Sequence, residues 1–168
     1  MSNSQHVEPW LRGTLLEVPA VQRATLHALE LAREDLQRWC GGLDDNELNT
    51  HPAGLAPVAF HLRHIPRSVD CLLTYAEGRE LSPQQLAALK TEAEPATHDE
   101  LFQELSLQLT RAMERVRSFQ PGQLEQSRVV GRRRLPTTVA GLIVHVAEHT
   151  QRHVGQAIIT AKLVRSKT

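Results

Sequence analysis

PTTVAGLIVHVAEHTQRHVGQAIITAKLV, residues 136–164, is the longest periodic stretch of the chain and decides its fold class. At 3.6 residues per turn its apolar side chains cover much of a helical circumference, the pattern of a helix packed among other helices. Its most apolar run, residues 139–147, falls well short of the roughly 20 residues needed to cross a bilayer, so a membrane role is not expected. Three further segments carry the same period. Residues 19–40 place Val21, Thr25, Ala28, Ala32, Leu36 and Trp39 in one stripe, with Pro19 in the first turn and Gly41-Gly42 expected as a left-handed stop. Residues 57–77 align Val58, Leu62, Ile65, Val69, Leu72 and Ala76 and end at Gly78; Pro66 removes one helical hydrogen bond and is expected to bend this helix. A third helix is predicted from Thr97, an N-cap with Glu100 three residues on, to about Ser118, burying Leu101, Leu105, Leu109, Ala112 and Val116.

Composition supports this reading. The chain of 168 residues divides by about 150 per domain into a single domain, residues 1–168. Leucine (24) and alanine (17) far outnumber isoleucine (4), which favours helices, and no segment sustains strand alternation. Between the second and third helices a link of about twenty residues holds a short helical piece, residues 83–90. An antiparallel neighbour needs far less chain, so these two helices can run parallel. The expected architecture is all-α, a four-helix bundle running up-down-down-up with a long crossover between helices 2 and 3.

Nineteen basic side chains cancel nineteen acidic ones, which argues against phosphate-neutralising contact with nucleic acid. Aromatic residues, at 4%, are too few for a stacking platform. Two cysteines, Cys40 and Cys71, suit a reducing compartment, and the N-terminal residues lack a secretory pattern, so a cytoplasmic protein is expected.

The unusual count is nine histidines. His145, His149 and His153 recur every four residues in the last helix, where chance placement gives about half a pair at that spacing. His149 and His153 share the stripe of Leu142, Val146 and Ala157, and a buried imidazole left unpaired costs about 1–3 kcal/mol. A cation that takes one nitrogen from each ring removes that cost. The second helix offers a third ring, His61 or His64, three residues apart. Three imidazoles with an open position form a catalytic rather than a structural arrangement, and imidazole suits zinc and nickel alike. His6, His27, His51 and His98 are scattered and are given no chemistry. Cys71 lies seven residues, about 10.5 Å of rise, beyond His64 and reads as core. Glu148 and Asp70 are candidate general bases or outer hydrogen-bond acceptors, Glu148 being about 100° from His149 and better suited to solvent. Arg128, Arg132, Arg133 and Arg134 cluster around Gly131 and read first as a solvated loop, second as an anion-binding group.

The pairing of FHLRHIPRSVDCLLTYAEG (60–78) with HVAEHTQRHVGQ (145–156) resembles the DinB/YfiT-like superfamily, whose members include bacillithiol- and mycothiol-dependent enzymes. The resemblance extends over most of the chain, and its most specific element is HxxxHxGQ, here His149, His153, Gly155 and Gln156. It implies a metal held by His64, His149 and His153, with His61, His145 and Gln156 as cavity or outer neighbours, and a homodimer. Members often carry arginine where this chain has Val154, which puts in doubt that position's part in holding an anion. The activity so implied is metal-dependent transfer of a low-molecular-weight thiol to an electrophilic small molecule. Two other readings stand beside it: a metal-dependent hydrolase that activates water, and a binding module without turnover.

Overall fold

The computed structural model describes residues 7–166 and is predominantly helical. Its helices are α1 (Ala20–Cys40), α2 (Asp45–Asn49), α3 (Val58–Ala76), α4 (Pro83–Lys90), α5 (His98–Ser118) and α6 (Val139–Arg165). A two-stranded sheet, β1 (Ser127–Val130) and β2 (Leu135–Thr138), separates α5 from α6. Among the described residues no helix is long and apolar enough to cross a membrane. His6 lies outside the described residues.

The local signals explain most boundaries. Thr97 accepts a hydrogen bond from the Glu100 N–H while the Glu100 carboxylate accepts from the Thr97 N–H, so two otherwise orphaned donors are satisfied at the start of α5. Ser82 and Gln85 make the same reciprocal cap on α4. Gly78 ends α3 at φ +77°, a conformation that a side chain resists. α3 continues through Pro66, which has no N–H to give and is itself buried.

Two expectations are corrected. Neither Gly41 nor Gly42 is left-handed; Gly41 has φ −65°. Glycine is needed there because a Cβ would lie 2.5 Å from the Gln37 carbonyl oxygen. The arginine-rich segment is a β-hairpin, not an open loop: Ser127 pairs with Thr138 and Val130 with Leu135 across a turn holding Gly131 at φ +69° and Arg134 at φ +48°. Strands of four residues are too short for alternation to register, and Pro136 sits on an edge that needs no donor. α6 consequently starts at Val139, where the Thr138 hydroxyl caps the Gly141 N–H at 3.0 Å.

The four long helices share one apolar core, with Leu26, Leu29 and Leu36 from α1, Leu62 and Ile65 from α3, Leu105 and Leu109 from α5, and Ile143 and Val146 from α6. α1 and α3 each pack on both α5 and α6. Contacts climb together along α3 and α5, where Arg67 meets Glu104 at 2.6 Å and, further on, Glu77 meets Arg115 at 2.6 Å. Along α3 and α6 they run oppositely, with His61 against His153 and His64 against His149.

Thr97→Ala removes the side-chain half of the α5 cap and is expected to lower stability by about 1 kcal/mol, read as a lower urea midpoint at unchanged slope.

Candidate metal centre

The opposed run of α3 and α6 brings the sequence-distant histidines together. His64, His149 and His153 each offer one ring nitrogen, and these nitrogens lie within 4.8 Å of one another, a group that could hold a metal ion. His64 Nε2 is 3.1 Å from His149 Nε2. Two nitrogens bound tetrahedrally to zinc at about 2.0–2.1 Å lie about 3.3 Å apart, so the spacing suits a shared cation.

Two of the three rings are held from behind. His64 Nδ1–H donates to Glu92 Oε2 at 2.9 Å, which fixes the proton on Nδ1 and leaves the Nε2 lone pair directed at the cluster. His153 Nδ1 sits 3.1 Å from His61 Nδ1, leaving its Nε2 as the nitrogen open to a ligand role. The Phe60 ring stacks on His64 at 5.1 Å with an interplanar angle of 13°, closing one face of that imidazole to water. The Ser68 hydroxyl, one turn further along α3, is 3.1 Å from His64 Nε2.

The environment favours uncharged rings. Burial first, and then the neighbouring His153 and His64, push the His149 pKa down to about 4. His153 is lowered to about 4 by burial and then by His64, and His61 to about 4 by burial and then by His153. A neutral imidazole has a lone pair to offer without first losing a proton, which suits metal binding. Glu92 adds a second indication: its Oε1 is buried with no hydrogen-bond partner among the described residues, an unsatisfied polar atom next to the imidazoles. The donor set present therefore fits a divalent transition ion.

The remaining sequence candidates take other places. His61, 4% exposed, backs His153 as an outer neighbour. His145 lies at the edge with its ring 5.6 Å from His149 and its Nδ1 3.2 Å from the exposed Glu148. Gln156 is exposed. Glu148 pairs with His145 and Arg152, and Asp70 pairs with Arg115 at 2.6 Å, so neither carboxylate faces the cluster as a base. Burial raises the thiol of Cys71 to about 11 and that of Cys40 to about 12, as core cysteines. Val154 is 2% exposed and packs in the core. Arg132 and Arg134 line a cleft with Tyr75 near the C-terminal end of α3, away from the histidines.

Glu92, Ser68 and Phe60 were not singled out in the sequence. Glu92 lies in the link between α4 and α5, where no periodicity marks it. It is positioned by α3 instead: Arg63 Nη1 donates to the carbonyls of Thr91 (3.0 Å) and Glu94 (2.6 Å), and Arg67 donates to the Thr91 hydroxyl at 3.0 Å. These bonds fasten the link across the face that carries His64.

The model of the DinB superfamily matches residues 28–157, a span that contains all three clustered histidines. A crystal structure of a conserved protein from Enterococcus faecalis is similar, with a TM-score of 0.71 and 20% sequence identity, covering 87% of this chain and 98% of that one. That likeness concerns the fold alone. No curated protein matches the chain.

Because the lowered pKa values lie below the ordinary 6.5, the unfolded chain takes up protons from about pH 6.5 downward while the native rings stay neutral until about pH 4. The metal-free protein is expected to be most stable above pH 6.5 and to lose stability as pH falls from 6.5 to 4. Urea unfolding across that window checks the sign; a flat or rising profile contradicts it.

Proposed function

The chain belongs to the DinB superfamily, and from that premise we propose that it binds a divalent transition metal, zinc or nickel, through His64, His149 and His153. The reaction we propose is transfer of a low-molecular-weight thiol to an electrophilic small molecule. We read the four long helices as an up-down-down-up four-helix bundle, the arrangement that sets α3 against α6 at the histidines. The observation that carries the proposal is the convergence of three imidazoles from two helices, with outer nitrogens backed by Glu92 and His61.

When bound, the ion supplies Lewis acidity and the means to keep a coordinated thiol deprotonated. The protein residues prepare the site. Glu92 keeps the His64 proton on Nδ1, His61 orients His153, and burial keeps His149 and His153 neutral. Phe60 shields one side, which raises the strength of every electrostatic contact within. Thiol transfer is favoured over hydrolysis by the placement of the carboxylates. Hydrolysis calls for a general base beside the attacking water. The carboxylate at this cluster, Glu92, accepts from Nδ1 of His64, the nitrogen turned away from the cluster, and its other oxygen is buried.

Elemental analysis of protein purified without a chelating resin is expected to find about one zinc or nickel ion per chain. His149→Ala and His153→Ala should lose it and the associated rise in melting temperature. Retention of a full ion by both variants defeats the ligand assignment. Glu92→Gln keeps the shape but removes the charge behind His64, and metal affinity should fall about 10–100-fold in a competitive chelator titration. Incubating the loaded protein with a panel of thiols and an electrophilic reporter then tests the chemistry. Conjugation that His153→Ala abolishes supports transfer, whereas ester or amide cleavage without conjugation points to hydrolysis, and neither activity to a binding module.

A further inference from the structure

One concavity is remote from the imidazoles. It is an open cleft of about 610 Å³ between the β-hairpin and the C-terminal end of α3 with the turn that follows. Tyr75, on its wall, lies eleven residues along α3 from His64, about 16 Å at 1.5 Å per residue. The volume falls in the range of small-molecule sites, about 300–1,000 Å³.

Its chemistry is lopsided. Arg79, Arg128, Arg132 and Arg134 line it against a single acid, Glu80. Arg128 is fixed by donating from Nε to the Ala76 carbonyl at 2.7 Å, and Arg79 is paired with Glu77. The side chains of Arg132 and Arg134 make no hydrogen bond or ion pair among the described residues, whereas Arg67, Arg115 and Arg152 are each matched to a carboxylate. Beside these two free guanidinium groups stand large apolar side chains that water still reaches, Leu86 at 45% and Val129 at 37% exposure, with Tyr75 half-buried. Exposed apolar surface inside a concavity, next to unpaired planar donors, suits a ligand with an anionic end and an apolar body.

We propose that this cleft is a second binding site, separate from the histidine cluster, for a small amphipathic oxyanion: a carboxylate or phosphate ester on a flat apolar group. The oxyanion meets the forks of Arg132 and Arg134, and the apolar part rests on Tyr75, Leu86 and Val129. The fixed guanidinium of Arg128 adds positive potential at the floor. Neutrality of the whole chain means that the attraction is local to the cleft, so a small molecule rather than a polyanion is the matching partner.

The test is calorimetric titration of the full chain with 1-naphthyl phosphate, 1-naphthoate, neutral 1-naphthol and inorganic phosphate, all in the presence of a metal chelator. At least one naphthyl anion should bind ten-fold or more tightly than both 1-naphthol and inorganic phosphate, and which anion wins tells an ester ligand from an acid. Arg132→Gln and Arg134→Asn should each weaken that binding several-fold. Both positions are exposed on the hairpin, and unchanged melting temperatures verify the fold; if Arg134→Asn is unstable, Arg132→Gln carries the test. Equal affinity for 1-naphthol, no measurable anion binding, or binding unchanged in the arginine variants overturns the proposal. Because chelator is present throughout, these outcomes are independent of whether the histidines hold a metal.

Discussion

The contact between His64 and His149, nitrogen to nitrogen at 3.1 Å across α3 and α6, is the constraint around which this chain is organised. Two polar rings meet where apolar side chains alone would pack, and each must be satisfied or its desolvation goes uncompensated. The surrounding residues supply half of that satisfaction. Glu92 and His61 occupy the outward nitrogens of His64 and His153, and the inward nitrogens are left facing one another. Without a metal, those inward nitrogens and the Ser68 hydroxyl, 3.1 Å from His64 Nε2, are partners for one another, and a cation that takes one lone pair from each ring replaces those contacts.

That requirement reaches beyond the cluster. Glu92 is carried by a link rather than by a helix, so its position depends on how the link is fastened. Arg63 and Arg67, one turn apart on α3, fasten it by donating to Thr91, Glu94 and Ala88. Arg67 at the same time pairs with Glu104 on α5. One helix thus presents His64 to the cluster and also holds the carboxylate that orients His64. The long link between α3 and α5 serves two purposes, returning the chain along the core and placing one acid residue.

Helical positions were readable in the sequence because period and caps agree. Thr97 with Glu100, and Gly78 past the last turn of α3, are local signals whose geometry does not depend on distant contacts. The histidine trio was readable for the same reason on α6, where spacing by four fixes a face. On α3 the spacing of His61 and His64 leaves both open; the resemblance points to His64, and the packing of α3 on α6 shows the physical difference: His64 Nε2 reaches His149, while His61 is turned to the back of His153. The hairpin and Glu92 were not readable. Strands of four residues carry almost no alternation, and a carboxylate in an aperiodic link acquires meaning only from the helix it lies against.

The chain distributes its polar groups by two different rules. Around the histidines, burial keeps the His149 and His153 rings neutral, and Glu92 accepts a hydrogen bond from His64. At the hairpin, Arg132 and Arg134 stay charged, exposed and unmatched beside apolar walls. Val154 sharpens the contrast, because an arginine there would have to leave a core position that is 2% exposed. In this chain, then, the unpaired guanidinium groups of Arg132 and Arg134 lie at the hairpin end of α3, about three turns from the imidazoles. A cluster of neutral nitrogen donors selects for a cation, and a cleft of unpaired guanidinium groups selects for an anion. The two features ask for opposite ligands, and the intervening length of α3 lets each keep its own electrostatic surroundings.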